Sequence, residues 1–552
     1  MFLRRKLTVM ATLALLSSSL LIGCTNSGGT KIEGSSNGGG VATSAEVLAN
    51  KNARAAIAMI IDKQAYCDVI LNNGSMPTDT YTPKGLASDN GKDYADLTQG
   101  MGYAYNEEQA KELWAKAKEE VGFDTVEMEI LTFDHDSGKR TGEFLQAELA
   151  ELEGLTIKVS NLPFEQKLEV ETKGEFDLSF SGWGPDYPDP LTFLDTMKTG
   201  SQYAKQVGYD SSEYNKLIEE ATKLPTTEAY SKYAEAEKLM LDDGFIIPLY
   251  QKGASYLEKE YVSGIIRNTW GADYTYTYAD VNKTDKTLNL STSSDIPSLD
   301  VSKATDQQSF QTMNSTMEGL TRIDENGVVQ PGVAESWETS EDGLTWTFKL
   351  RKNSVWSNGT PVTAKDFEYS WKRTLTPETA SEYGYIMADI AGASIKEIEA
   401  NGVDGVGVKA LDDYTLEVKL NRPVAYFAEL MSFQVFFPQN QAFVESCGDA
   451  YGSSVDKQLY NGPFTLTTWK MEDQYSMTKN PNYWDAANVK LEKINTKIVK
   501  DTGADISLYE DGQIDLVGLN SDYVDKYKDS KEFHTREAGS VFILQVNGGN
   551  NK

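Results

Sequence analysis

The chain has 552 residues, with 52 Lys and Arg against 83 Asp and Glu, a formal charge of −31, and no long basic tract. Phosphate-backbone binding needs clustered cations, so no nucleic-acid partner is expected; the acidity gives a hydrated surface and weakly favours cationic ligands. Three Cys and two His (His135 and His534), in no metal-ligand spacing, support neither a disulfide framework, nor a zinc site, nor a Ser-His-Asp hydrolase.

Arg4, Arg5 and Lys6 precede an apolar run from Leu7 to Ile22 that ends in Gly23-Cys24. A basic start, an apolar stretch and small residues before a cysteine form a secretory signal over residues 1–24. Leu21-Ile22-Gly23-Cys24 resembles a bacterial lipobox, which makes Cys24 the lipidation site. Ser17, Ser18 and Ser19 interrupt the run and argue against an uncleaved membrane span. Residues 25–46, with a Gly, Ser and Asn-rich stretch to Gly40, read as a flexible linker.

Between Lys51 and Ile61, Ala53, Ala56, Ile57, Ile60 and Ile61 recur at helical spacing. Asn106 predicts the N-cap of a helix through Glu120, closed by Gly122. Val126, Met128 and Ile130 alternate as a strand, a helix follows over Gly142 to Leu152, and Leu155 to Val159 is the next strand. Helices over 212–223 and 228–242 then precede a strand from Phe245 to Tyr250. Strands alternating with helices predict an α/β lobe with a largely parallel sheet.

Inside that lobe the apparent buried strand Phe176 to Phe180 runs into Ser181-Gly182-Trp183-Gly184-Pro185-Asp186-Tyr187-Pro188-Asp189-Pro190. Gly, Pro and Asp after a strand read as a turn at a sheet edge. The turn presents an aromatic ring and a carboxylate beside backbone N–H and C=O groups. That suits a ligand with an amine and a peptide-like backbone; an ordinary loop with a packed Trp is the alternative.

From Leu344 the texture changes. Leu344 to Leu350 and Tyr414 to Leu420 alternate strictly, as half-solvated antiparallel strands do, and Val362 to Thr374 between them reads as a packed helix. Further strands are predicted at Phe464 to Trp469 and Val541 to Val546.

Separated segments together are similar to the extracytoplasmic oligopeptide-binding proteins of ABC importers, solute-binding protein family 5. They include Ser298-Leu299-Asp300, Met317-Glu318-Gly319-Leu320, Gly332 to Trp337, Asp342 to Phe348, Trp356 to Phe367, Val408 to Thr415, Tyr460-Asn461-Gly462-Pro463-Phe464 and Asn480 to Asp485. Asn52 to Ile57, Ile61-Asp62-Lys63 and Gly182 to Pro190 belong to the family's other half. The order departs from the family's: its late half, about Val47 to Lys283, stands before its early half, Thr284 to Asn547. The resemblance therefore implies a circular permutation, natural or engineered as a scaffold or sensor.

The implied fold is α/β: a two-lobed periplasmic-binding-protein-like fold, type II, of the three-domain peptide-binding class. One lobe would be 47–250; the other would join a main domain from 251–322 plus 459–548 to an inserted domain at 323–458, with 549–552 a flexible tail. The resemblance implies a monomer, held to the membrane through Cys24, that delivers oligopeptides to importer permease subunits without a cofactor or metal. Relatives that bind nickel, haem or oligosaccharides keep the ligand open, and a peptidase lacks a nucleophile–base pair. Asp186 matches the position that meets the ligand's ammonium, and Trp183 and Tyr187 would fence its first side chain. Ser181, Gly182 and Gly184 would add contacts from one lobe, with Tyr460, Asn461, Gly462, Glu318 and Gly319 facing them. For Tyr460 and Glu318 a structural role is an equal reading, and Asp186 could instead cap its turn. The new ends, Val47 and Asn547, are expected where the chain crosses between lobes, which would remove one hinge strand and weaken binding.

Replacing Cys24 by Ala is predicted to leave the precursor unprocessed there and unlabelled by a fatty-acid analogue. Labelling equal to the parent's would place the anchor elsewhere.

Overall fold

The computed structural model describes residues 40–549. The signal segment with Cys24, residues 25–39 of the expected linker and residues 550–552 lie outside them. The linker's last residues are ordered, contrary to expectation. Gly40–Val41 (β1) pairs with the sheet, and Thr43 and Glu46 form a capping box that starts helix α1, Ser44–Leu48. The Thr43 hydroxyl accepts from the Glu46 N–H at 3.3 Å, and the Glu46 carboxylate accepts from the Thr43 N–H at 2.9 Å. That reciprocal satisfaction of two orphan donors stops the linker at Thr43.

Helix α2 (Lys51–Ile60) is capped by Asn50 and buries the periodic face read from the sequence. After β2 (Met76–Pro77), α3 (Glu107–Val121) starts where the Asn106 side chain accepts from the Gln109 N–H at 3.1 Å. It ends at Gly122, whose φ of 84° favours glycine. Then come β3 (Phe123–Phe133), α4 (Asp136–Leu149), β4 (Leu155–Leu162), α5 (Phe164–Thr172) and β5 (Leu178–Trp183). Helices α6 (Ser212–Ala221) and α7 (Thr226–Asp243) lead to β6 (Ile246–Glu258), twice the length expected.

The second part of the chain builds two four-stranded sheets. One orders β7 (Thr287–Thr292), β14 (Lys493–Ile498), β13 (Gln474–Lys479) and β12 (Phe464–Lys470). The other orders β8 (Ala334–Thr339), β9 (Thr345–Leu350), β11 (Thr415–Lys419) and β10 (Val408–Asp412). The two alternating segments pair antiparallel, Thr345 opposite Lys419 and Lys349 opposite Thr415, and Phe348, Leu416 and Val418 are buried. Helix α8 (Gln307–Thr316) lines the cleft, α9 (Ala364–Leu375) is the packed helix expected near 362–374, and α10 (Thr502–Glu510) precedes β15 (Leu516–Leu519).

The last strand, β16 (Phe533–Val546), corrects two readings. It inserts between β5 and β6, giving the order β1-β3-β5-β16-β6-β2, with β4 beside β3 and β15 beside β6. The sheet is therefore mixed: β1, β3, β4 and β5 run parallel, whereas β16 is antiparallel to both its neighbours. Residues 541–546 thus complete the first lobe and do not belong to the second. The first half of β16 instead pairs with the outer half of β6, and a register shift between Glu537 and Val541 separates the halves. Those outer ends rest in a small core where Leu257 and Phe533 meet Ile506, Tyr509, Ile514 and Val517.

Consequently β6 and β16 both cross from lobe to lobe intact. Val47 and Leu48 are fully buried, and a side chain on Gly548 would come within 2.3 Å of the Leu48 carbonyl. Asn547 binds the Gly174 and Phe176 carbonyls, each at 2.8 Å. Residues 47 and 547 therefore lie inside the first lobe, and the expected loss of a hinge strand, with the weaker binding drawn from it, has no structural basis.

The stretch around Asn282 to Thr284 is tied down by Asp515. This fully buried carboxylate accepts from the Tyr261 hydroxyl at 2.8 Å, the Lys283 ammonium at 2.6 Å and the Asn289 N–H at 2.7 Å. Asp515→Ala is predicted to lower stability by about 2–3 kcal/mol, read as a lower urea midpoint. An unchanged midpoint would mean that this stretch holds without it.

Candidate functional site

The site begins where β5 runs out of its sheet. On one edge Ser181, Gly182 and Trp183 stand opposite Ile543, Phe542 and Val541 of β16. On the other edge β5 meets β3 only at Leu178 and Ser179. From Phe180 onward that second edge therefore has no strand partner among the described residues. The Gly182 carbonyl accepts from the Tyr203 hydroxyl at 2.8 Å. At Gly182 a Cβ would stand 3.1 Å from the Phe542 ring, so a larger residue there would need the ring to shift by a few tenths of an ångström.

Thr192 fixes the turn beyond the strand. Its carbonyl accepts from Trp183 Nε1 at 2.9 Å and its hydroxyl from the Asp186 N–H at 2.8 Å. Asp186 is thereby turned into a cavity of about 180 Å³ between the lobes, which Ser181, Gly182, Trp183 and Gly184 also line. Asp186 is 5% exposed and has no ion-pair partner among the described residues; the Tyr383 hydroxyl donates to it at 3.4 Å, and the Thr192 hydroxyl lies within hydrogen-bonding reach. Burial pushes its carboxyl well above the usual range, against hydrogen bonds from Tyr383 and Thr192 that favour the ionised form. A buried carboxylate without a cation is costly, and a ligand ammonium would offset that cost.

The facing wall comes from residues the sequence reading passed over. Thr305, Asp306, Gln307, Phe310 and Tyr383 line the same cavity. Asp306 caps α8, accepting from the Ser309 N–H at 2.8 Å and hydroxyl at 2.6 Å, and burial pushes its carboxyl up to about 6. The spacing Asp306-Gln307-Gln308-Ser309 was a readable cap signal; Tyr383 had none. The Tyr383 ring stacks on Trp183 with centroids 5.9 Å apart.

The residues expected opposite this turn lie elsewhere. The Asn461 side chain accepts from the Glu318 N–H at 3.1 Å and donates to the Glu318 carbonyl at 2.9 Å. The Glu318 carboxylate accepts from the Tyr483 hydroxyl and from Trp484 Nε1, the latter at 2.5 Å. Tyr460 donates its hydroxyl to the Val455 carbonyl at 3.2 Å. Gly319 and Gly462 allow close backbone approach: a Cβ would meet the Met431 carbonyl at 2.3 Å and the Met317 N at 2.5 Å respectively. Glu318 and Gly319 border a separate space of about 50 Å³, so these five residues brace the second lobe. Tyr187 does not line the Asp186 cavity either; it stacks across the lobes on Tyr426, with centroids 4.5 Å apart and planes at 11°.

The lobes are closed on each other. Lys500 reaches Asp134 at 2.8 Å, the Thr502 N–H donates to Asp136 at 2.9 Å, and Arg140 pairs with Asp522. Fold and site together define a two-lobed α/β protein with a cavity enclosed between its lobes. The family model described as bacterial extracellular solute-binding proteins, family 5, middle, matches residues 28–205 and 328–552, more than half of the chain. The chain belongs to this family.

A dipeptide-binding protein of Lactococcus lactis subsp. cremoris is 36% identical over 272 residues, 48% of this chain and 50% of that protein. The oligopeptide-binding protein OppA of Bacillus subtilis is 38% identical over 238 residues, 43% of this chain and 44% of that protein. The chain spans about half the length of the relatives it matches. Among solved structures, Listeria monocytogenes OppA bound to peptide is 39% identical with a TM-score of 0.44, covering 45% of this chain and 49% of that one.

Asp189 gives the turn a pH dependence. Burial pushes its carboxyl up to about 7, assisted by Asp195 and Asp389 and opposed by the Leu191 N–H and Arg422. Its stabilising contribution is therefore present below the ordinary carboxylate range, near pH 4, and is lost as pH rises through about 7. Asp189→Asn is predicted to gain melting temperature over the parent as pH rises from about 5 to about 8. A constant difference across that range would mean that Asp189 ionises normally.

Proposed function

We propose that the protein binds an extended oligopeptide between its lobes and hands it to the permease of an ABC importer. The observation that carries this reading is Asp186: a buried carboxylate that, among the described residues, has no cation partner and stands beside a strand edge left unpaired from Phe180 onward. A peptide laid along that edge pairs its backbone groups whatever its sequence, and its α-ammonium meets Asp186. Haem or an oligosaccharide would leave the carboxylate unmatched. The relatives named for dipeptide and oligopeptide binding support the same ligand class. In this reading the chain is a receptor and not a peptidase, it acts as a monomer on the extracytoplasmic face, and Cys24 holds it there.

The same reading has the family's halves in exchanged order, in keeping with the two separate stretches of the family match and with relatives covering about half the chain. The first lobe then comprises 47–250 completed by the end of β16. The second comprises the main domain, 251–322 with 459 to about 532, and the insertion at 323–458.

Asp186→Asn is predicted to weaken binding of free-amine peptides by about 2–5 kcal/mol, part of it the ammonium left unpaired. N-acetylated peptides should bind the parent poorly and respond little to the substitution. Calorimetry with both forms decides it: equal losses would mean that Asp186 shapes the turn without reading an amine.

A further inference from the structure

Beyond Asp186 the cleft widens into a chamber of about 490 Å³. Chamber and cavity share Phe133, Phe164, Lys252 and Phe542, so a ligand held at Asp186 can continue into the chamber. Its first-lobe wall is aromatic: Phe542 stacks between Phe180, at 5.4 Å, and Tyr250, at 4.9 Å, and Tyr66 lies 5.5 Å from Tyr250. The second-lobe wall is polar, from Ser291 to Ser294 and from α10.

Most charges in the chamber are matched. Lys252 pairs with Asp273 at 3.3 Å, and Lys500 sits between Asp134 at 2.8 Å and Glu472 at 2.6 Å. Asp136 accepts from the Thr502 N–H, and His135 Nδ1 accepts from the Gly138 N–H at 3.2 Å. Asp505, on α10, is the exception. One of its carboxylate oxygens accepts from the Ser291 hydroxyl at 2.9 Å; the other is buried and has no hydrogen-bond partner among the described residues. Burial pushes this carboxyl up to about 6. A buried acceptor left empty costs free energy that a donor from the ligand would recover.

We propose that this chamber is a side-chain subsite for a long basic residue, lysine or arginine, whose head group meets Asp505 while its stem lies along the Phe180, Tyr250 and Phe542 rings. Long cationic side chains bury an apolar stem and gain further from aromatic faces, so the chamber matches both ends of such a chain. A purely apolar side chain would fill the aromatic wall and leave Asp505 unmatched. The proposal rests on the reading of the cleft as a peptide site.

The test uses the full chain and calorimetry with tetra-alanine and with variants carrying lysine or norleucine at the second, third or fourth position. Norleucine keeps the stem and removes the charge. The expected result is about a tenfold preference for lysine over norleucine at one position, lost in Asp505→Asn, with tetra-alanine binding changed little. Norleucine binding as well as lysine at every position overturns the subsite, and this comparison needs only the unsubstituted protein. A lysine preference that survives Asp505→Asn overturns it too. Tetra-alanine binding without a lysine preference sinks the subsite alone; failure of every peptide to bind sinks the peptide reading with it.

Discussion

The structure depends on one strand insertion: β16 lies between β5 and β6 and pairs with both. Because Ser181, Gly182 and Trp183 are paired to β16 along one edge, the segment that presents Asp186 is held as a strand while its second edge stays open. The same strand delivers Phe542, which borders both the Asp186 cavity and the larger chamber, and whose ring packs closely against Gly182. Each backbone hydrogen bond contributes only about 1 kcal/mol net, but a strand paired on both edges cannot slip without breaking two ladders. The site therefore inherits its rigidity from the sheet.

Electrostatics explains how an acidic chain keeps acids in its cleft. Asp186, Asp306 and Asp505 are all desolvated, and each has its carboxyl raised by burial. Asp306 is satisfied by Ser309 as a helix cap, whereas Asp186 and Asp505 have only weak or one-sided partners. The cations nearby are already committed: Lys252 to Asp273, Lys500 to Asp134 and Glu472. For the proposed cationic ligand, attraction would come from this local mismatch far more than from the overall charge, since surface charges are screened over about 8–10 Å.

Local signals in the sequence were readable because they act over a few residues. Asn106 and Gly122 bound α3, and the alternation around Phe348 and Leu416 gives two paired, half-buried strands. The turn bearing Asp186 was legible as a turn at a sheet edge because Gly, Pro and Asp after a strand end its pairing. What failed was long-range. Nothing near Val541 says that β16 will insert between strands more than 280 residues earlier, so the parallel sheet and the hinge were both misread. Glu318 and Asn461 looked like facing ligand contacts, but their polar groups satisfy each other, and the true facing wall at Thr305 to Gln307 carried only a helix-cap pattern. Thr43 and Glu46 show the converse: a capping box stood in the sequence, hidden by its Gly-rich neighbourhood.

With both crossing strands intact, the balance between open and closed lobes is set by what meets across the cleft and not by the number of tethers. The peripheral ion pair Arg140–Asp522 is solvent-exposed, and such pairs contribute roughly 0–1 kcal/mol. Stacking of Tyr187 on Tyr426 and Tyr383 on Trp183 favours closure more, since aromatic pairs add about 0.5–1.5 kcal/mol beyond the area they bury. Against these stands Asp186, which closure removes from water with only the Tyr383 and Thr192 hydroxyls as compensation. In the proposed peptide reading, a ligand ammonium would cancel that opposing cost only in the closed form, where the carboxylate is desolvated. Its affinity would then differ between the two states, and that difference is what a ligand needs in order to shift the equilibrium toward closure.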